Sequence, residues 1–88
     1  MAPMPLEDRP AWLASLKVGD DVRCVRYLGG RGYGVVDHER SGKVIRRTPS
    51  GRLVVSCDFT PADARTFMPD GIRERYGIYE TWLESVDG

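Results

Sequence analysis

The sequence predicts a mainly β protein: one small, five-stranded, partly open antiparallel barrel with a short N-terminal helix. Three observations carry that expectation. At 88 residues the chain can hold one core and no independently stable second domain. Leu53, Val55, Cys57 and Phe59 alternate with Val54, Ser56 and Asp58, the period of two of a strand with one buried face. The 10 Gly and 6 Pro fall at short intervals, which suits short strands and turns and leaves little room for long helices.

Residues 1–7 read as a flexible tail and residues 8–88 as the single domain. Asp8 is placed to cap a helix with Pro10 in its first turn, and Trp12, Leu13 and Leu16 then share one face, giving a helix from about Arg9 to Leu16. Two turns are too few for stability alone, so this helix must dock on the rest of the domain. After the turn at Val18-Gly19-Asp20-Asp21, the run Val22 to Tyr27 is the first strand. Gly29, Gly30, Gly32 and Gly34 interrupt any regular element, so the stretch to about Arg40 reads as a long exposed loop, tacked down by Tyr33, Val35 and Val36. A second strand runs from Ser41 to Thr48, turned back by Pro49-Ser50-Gly51 into the third, Leu53 to Phe59. A turn or single helical turn at Thr60 to Ala64 precedes a fourth strand, Arg65 to Met68, which ends at Pro69-Asp70-Gly71. The last strand spans Ile78 to Leu83, with Tyr79 and Leu83 on one face and a bulge or 3₁₀ turn to accommodate both Ile78 and Trp82. Five such strands bury enough apolar area only by curling into an SH3-like barrel. An OB-fold needs more chain between its third and fourth strands than Cys57 to Arg65 provides.

The net charge of zero conceals a segregation. Residues 23–52 carry eight basic side chains against Asp37 and Glu39, a net of +6, while residues 1–22 carry −2 and residues 53–88 carry −4. Arg31, Arg40, Lys43, Arg46, Arg47 and Arg52 lie on or just before the predicted hairpin, a grouping that suits phosphates or an acidic protein surface. Strand alternation puts Lys43 and Arg47 on one face and Arg46 on the other. The glycine loop could offer backbone N–H groups to an anion, with Arg31 adding charge and Tyr33 a stacking face. It is no nucleotide fingerprint, because Val35 breaks the G-x-G-x-x-G spacing and no G-x-x-x-x-G-K-[ST] run exists.

No catalytic, metal or cofactor signature emerges. Asp37-His38-Glu39 are adjacent on an extended chain and point apart, and a single His with Cys24 and Cys57 cannot complete a four-ligand site without recruiting carboxylates. Both cysteines are expected as reduced, buried thiols, with a disulfide as the alternative. Tyr27, Tyr76, Tyr79 and Trp82 read as core rather than as a stacking platform. No apolar run approaches the length that spans a bilayer and the first ten residues lack a secretory pattern, so the expected setting is cytoplasmic, with no membrane partner.

Leu16-Lys17-Val18-Gly19-Asp20-Asp21-Val22, then Gly42-Lys43-Val44-Ile45-Arg46-Arg47-Thr48, then Phe67 and Gly71 with Gly77 follow an order that resembles small phage and prophage proteins. Those open with an LK-x-GD-x-V strand, continue with a GKV hairpin and close on an F-x-x-x-G segment. Gly42 to Val55 also resembles the KOW type of SH3-like barrel in ribosomal and transcription proteins. The resemblance spans Leu16 to Leu83 and implies a fold and a mobile-element origin, with no catalytic residues. The expected function is a non-enzymatic binding module that meets nucleic acid, or a nucleic-acid-handling complex, through Arg31, Tyr33, Arg40, Lys43, Arg46, Arg47 and Arg52. The alternative is a protein-directed inhibitor of a host defence (anti-CRISPR-like) or transcription protein, using the acidic C-terminal region; a small virion component is a third reading.

Overall fold

The computed structural model describes residues 4–57, 64–73 and 78–86. A 3₁₀ turn at Leu6–Asp8 runs into helix α1 (Arg9–Ser15), and five strands follow: β1 (Asp21–Leu28), β2 (Val36–Arg47), β3 (Leu53–Cys57), β4 (Ala64–Phe67) and β5 (Tyr79–Glu84). A second 3₁₀ turn, Arg31–Tyr33, separates β1 from β2. All pairings are antiparallel and the order across the sheet is β4-β3-β2-β1-β5. The sheet is mainly consecutive hairpins, with β5 returning to lie beside β1. It curls into a half-barrel, as expected for so short a chain.

The elements differ from the expectation in instructive places. Helix α1 begins where predicted, with Pro10 in its first turn, yet Asp8 makes no capping hydrogen bond through its side chain. In the segment read as a tail, the Met4 carbonyl accepts from Arg31 and the Pro5 carbonyl from the Asp8 N–H, while Pro5, Leu6 and Glu7 are exposed. The segment read as a loop to Arg40 supplies the first half of β2. All of Val36 to Ser41 are exposed, so no burial pattern marks them, and they are strand only because β1 pairs with them from Asp21↔Lys43 to Tyr27↔Val36. Strand β5 pairs with β1 without interruption. The bulge expected there is absent because Ile78 lies outside the strand, leaving Tyr79 and Leu83 on one face and Trp82 on the other. The irregularities fall in β2 instead: Asp37 is extra against β1 and Ile45 is extra against β3. The turn expected at Thr60 to Ala64 lies almost entirely outside the described residues, as do Phe59 and Tyr76.

The sheet is covered on both faces of its β1–β5 half. Val22, Cys24, Val44, Leu53, Val55, Cys57, Phe67 and Leu83 form the main core with Leu13 and Leu16 of α1. Val25, Tyr27 and Trp82, with Ile72, form a second cluster on the opposite face. Gly71 (φ +80) lets α1 approach, since a Cβ there would lie 2.6 Å from the Arg9 guanidinium and 3.0 Å from Leu13.

Cys24 and Cys57 are buried as expected but are joined as a disulfide rather than held as thiols. The two sit on β1 and β3, which are not neighbours; β2 runs between them. Their Cα atoms are 6.6 Å apart, whereas two strand spacings in a flat sheet would give roughly 9.5 Å. The sheet is therefore folded over β2 at this point, with the sulfurs on its concave side.

Candidate functional site

The bulge at Ile45 decides where the basic hairpin points. Residues directly opposite one another share a face, and Lys43 opposes Ser56, Arg46 opposes Val54, and Arg47 opposes Leu53. Ser56 and the buried Val54 lie together on the face away from the main core, so Lys43 shares that convex face with Arg46. Arg47 turns to the core side with Val44. This reverses the grouping expected from unbroken alternation, because one extra residue shifts the phase of everything after it.

The seven predicted site residues are thus distributed over four places. Lys43 pairs with Asp21 (2.8 Å) and reaches the Gly19 carbonyl (3.3 Å), with both side chains of the pair well exposed. Arg40, Arg46 and Arg52 are exposed along the same hairpin, Arg40 donating to the Glu39 carbonyl. Arg47 donates to the Leu13 and Leu16 carbonyls (2.8 and 3.2 Å) at the C-terminal end of α1. There it adds a second donor to the Leu13 carbonyl, which already accepts from the Leu16 N–H, and meets the negative end of the helix. Tyr33 stands at the tip of the glycine loop, 79% exposed. Arg31 leaves the basic surface altogether.

Arg31 belongs to a buried cluster that the sequence did not signal. Its Nε and one terminal nitrogen donate to the Glu84 carboxylate (2.6 and 3.1 Å), and its guanidinium lies 5.1 Å from the Trp82 ring centre. Arg9 donates to the same carboxylate (3.0 Å) and to the Leu83 carbonyl (2.8 Å), and sits 4.9 Å from Trp82. The Tyr27 hydroxyl completes the set, donating to Glu84 at 2.6 Å. Glu84 is wholly inaccessible to solvent. Burial pulls Arg9 below its ordinary pKa, with Glu84 opposing and the Arg31 charge assisting. Burial acts on Arg31 in the same direction, but the hydrogen bond and charge of Glu84 outweigh it and leave Arg31 raised. Burial, then the hydrogen bond to Glu84, pushes the Tyr27 phenol up to about 12.

This arrangement also fills the place where the glycine loop would cradle an anion. The Arg31 backbone N–H donates to Glu80 Oε1 (3.3 Å), and the same oxygen lies 3.2 Å from where a Cβ on Gly30 would be. The chain's own carboxylates occupy the loop. What the loop presents outward is apolar. Tyr33, Val35 (50%), Val36 (49%) and Ile78 (61%) are exposed around one end of β1, where Leu28 N–H donates to the Val35 carbonyl and Gly29 N–H to the Ile78 carbonyl.

A groove of about 440 Å³ runs between α1 and the Pro69–Ile72 turn, lined by Leu6, Pro10, Leu13 and Trp82 and with Arg9 and Asp70 as its polar members. The acid–base candidates of β2 are engaged in surface ion pairs, Asp37 with Arg26 and Glu39 with Arg23. Among the described residues no group of three or more His, Cys, Asp or Glu side chains comes together, and no helix is long and apolar enough to cross a membrane. No family model, no curated protein and no solved structure matches the chain.

Proposed function

We infer that the protein is a non-enzymatic binding module on an SH3-like half-barrel, and that it engages a protein partner through the apolar tip made by Tyr33, Val35, Val36 and Ile78. The SH3-like assignment is supported by β2, whose first half pairs with β1 and second half with β3, so that one bent strand serves two parts of the sheet. The observation that carries the partner class is the contrast between the two candidate surfaces. Four large apolar side chains are exposed together at the tip, a grouping that marks interaction sites, whereas Arg31 is committed inside the fold, Arg47 to carbonyls at the end of α1 and Lys43 to Asp21. This favours a protein-directed reading over nucleic acid, through the apolar tip rather than the acidic C-terminal region, where Glu84 is buried and Glu80 accepts from Arg31; the phage or prophage origin rests on the sequence resemblance alone.

Nucleic-acid binding stays as the second reading because Lys43 and Arg46 share the convex face, with Arg40 and Arg52 exposed on the same hairpin. A photo-reactive residue at Tyr33 separates the two. Under the protein-directed reading it crosslinks one defined host protein, V36D abolishes the product, and K43E/R46E leaves it intact. A mobility shift on DNA or RNA that K43E/R46E abolishes and V36D spares would transfer the function to the basic face.

A further inference from the structure

The disulfide joins strands that are not neighbours, and the strand between them is built to let it pass. Cys24 lies opposite Arg40 and Cys57 opposite Gly42, so the bond crosses β2 at Arg40 to Gly42. A Cβ on Gly42 would stand 3.0 Å from the Cys24 sulfur, 2.9 Å from a Val55 methyl and 3.0 Å from the Ser56 carbonyl oxygen. Gly42 is therefore required by close approach. The bond sits in the middle of the main core, with Val22, Val44, Val55 and Leu83, and it ties residues 33 apart in sequence. A domain this small has little apolar burial to spare, and its curl over β2 depends on β1 and β3 being held together.

We propose that the Cys24–Cys57 bond is a redox-governed staple: the half-barrel keeps its curl while the bond stands and loosens when it is reduced. The reaction is thiol–disulfide exchange with a dithiol. A reagent thiolate attacks one sulfur, forming a mixed disulfide and releasing the other as a thiolate; the reagent's second thiol then displaces the first protein sulfur. Two electrons and two protons pass to the protein, and the reagent leaves as its own cyclic disulfide. Both sulfurs are buried, so attack waits on opening of the sheet, and the bond is slow to reduce in the native state. This goes beyond the partner reading and does not depend on it.

The test uses the full chain refolded under oxidising conditions. Its mass is expected to lie two units below that of the fully reduced chain. Dithiothreitol is expected to lower its melting temperature by about 15 °C or more, the scale of closing a loop of this length in a small domain. C24A/C57A melts with the reduced wild type and ignores the reductant. G42A, which places a methyl against the Cys24 sulfur, raises the reduced fraction at least tenfold in a fixed glutathione buffer. If the alanine pair does not fold, the reduced wild type alone decides: loss of its cooperative melt supports the staple. A chain that retains two free thiols after oxidative refolding, or a melting temperature unmoved by reductant, overturns the proposal.

Discussion

Glu84 holds two guanidinium groups and a phenol in one solvent-free place, and its removal would leave Arg9 and Arg31 as like charges without the carboxylate that bridges them. Glu84→Gln is expected to cost about 3–5 kcal/mol, the range for breaking a buried ion pair by deleting one partner, read as a drop in the urea midpoint. Arg31→Gln should cost less, since Arg9 still neutralises the carboxylate. The same cluster sets a pH dependence. Unfolded Tyr27 ionises near its ordinary value of 10, while the folded phenol is pushed up to about 12, so the unfolded chain loses its proton first as pH rises. The stabilisation is fully present below pH 10 and is lost between about 10 and 12, on the order of 2 kcal/mol. Alkaline unfolding that coincides with phenolate absorbance, and that Tyr27→Phe removes, is the expected result. None of this was legible beforehand. Arg9, Tyr27, Arg31 and Glu84 meet across 53 to 75 residues of sequence, and no spacing or periodicity encodes such a meeting; Arg31 looked like surface charge because its neighbours are glycines.

Local pattern was most readable where an element buries one face. Strand β3 shows its alternation openly, and α1 shows both its apolar face and Pro10. The first half of β2 could not be read, because pairing with β1 makes it a strand without burying any of its side chains. The faces of Lys43, Arg46 and Arg47 were misread for a related reason: the bulge at Ile45 comes from pairing geometry and leaves no mark in composition. Of the residues grouped from the sequence, Tyr33, Arg40, Lys43, Arg46 and Arg52 are exposed as surface residues and Arg31 is not. Helix α1 offers a test of how the elements hold one another. Its seven residues are too few to persist alone, and Arg47 ties its last turn to β2. Arg47→Ala is expected to cost about 1 kcal/mol, from lost hydrogen bonds to helix-end carbonyls and the dipole contact. Loss of amide-exchange protection in α1 ahead of β3 would check it.

The charge segregation takes a different meaning once the chain is folded. Of the eight central cations, Arg31 is buried, Arg47 caps α1, and Arg23 and Arg26 face Glu39 and Asp37. Arg40, Arg46 and Arg52 are exposed on the hairpin, and Lys43 joins them when it exchanges Asp21 for a phosphate, so a complex made through this hairpin should show a log–log salt slope no steeper than about −4. With the tip as the working surface, no such complex is expected at micromolar protein in about 50 mM salt, a condition in which screening is weak. A mobility-shift titration checks this directly. The bond between Cys24 and Cys57 also makes the protein a closed covalent ring in its middle third, with the glycine loop and all of β2 on the ring and both ends of the chain hanging from it. A peptide bond cut inside the ring does not release a fragment. Chymotrypsin acting at the exposed Tyr33 should therefore give a nicked protein that migrates as one species on a non-reducing gel and as two on a reducing one, its halves still held edge to edge by the sulfurs beneath Gly42.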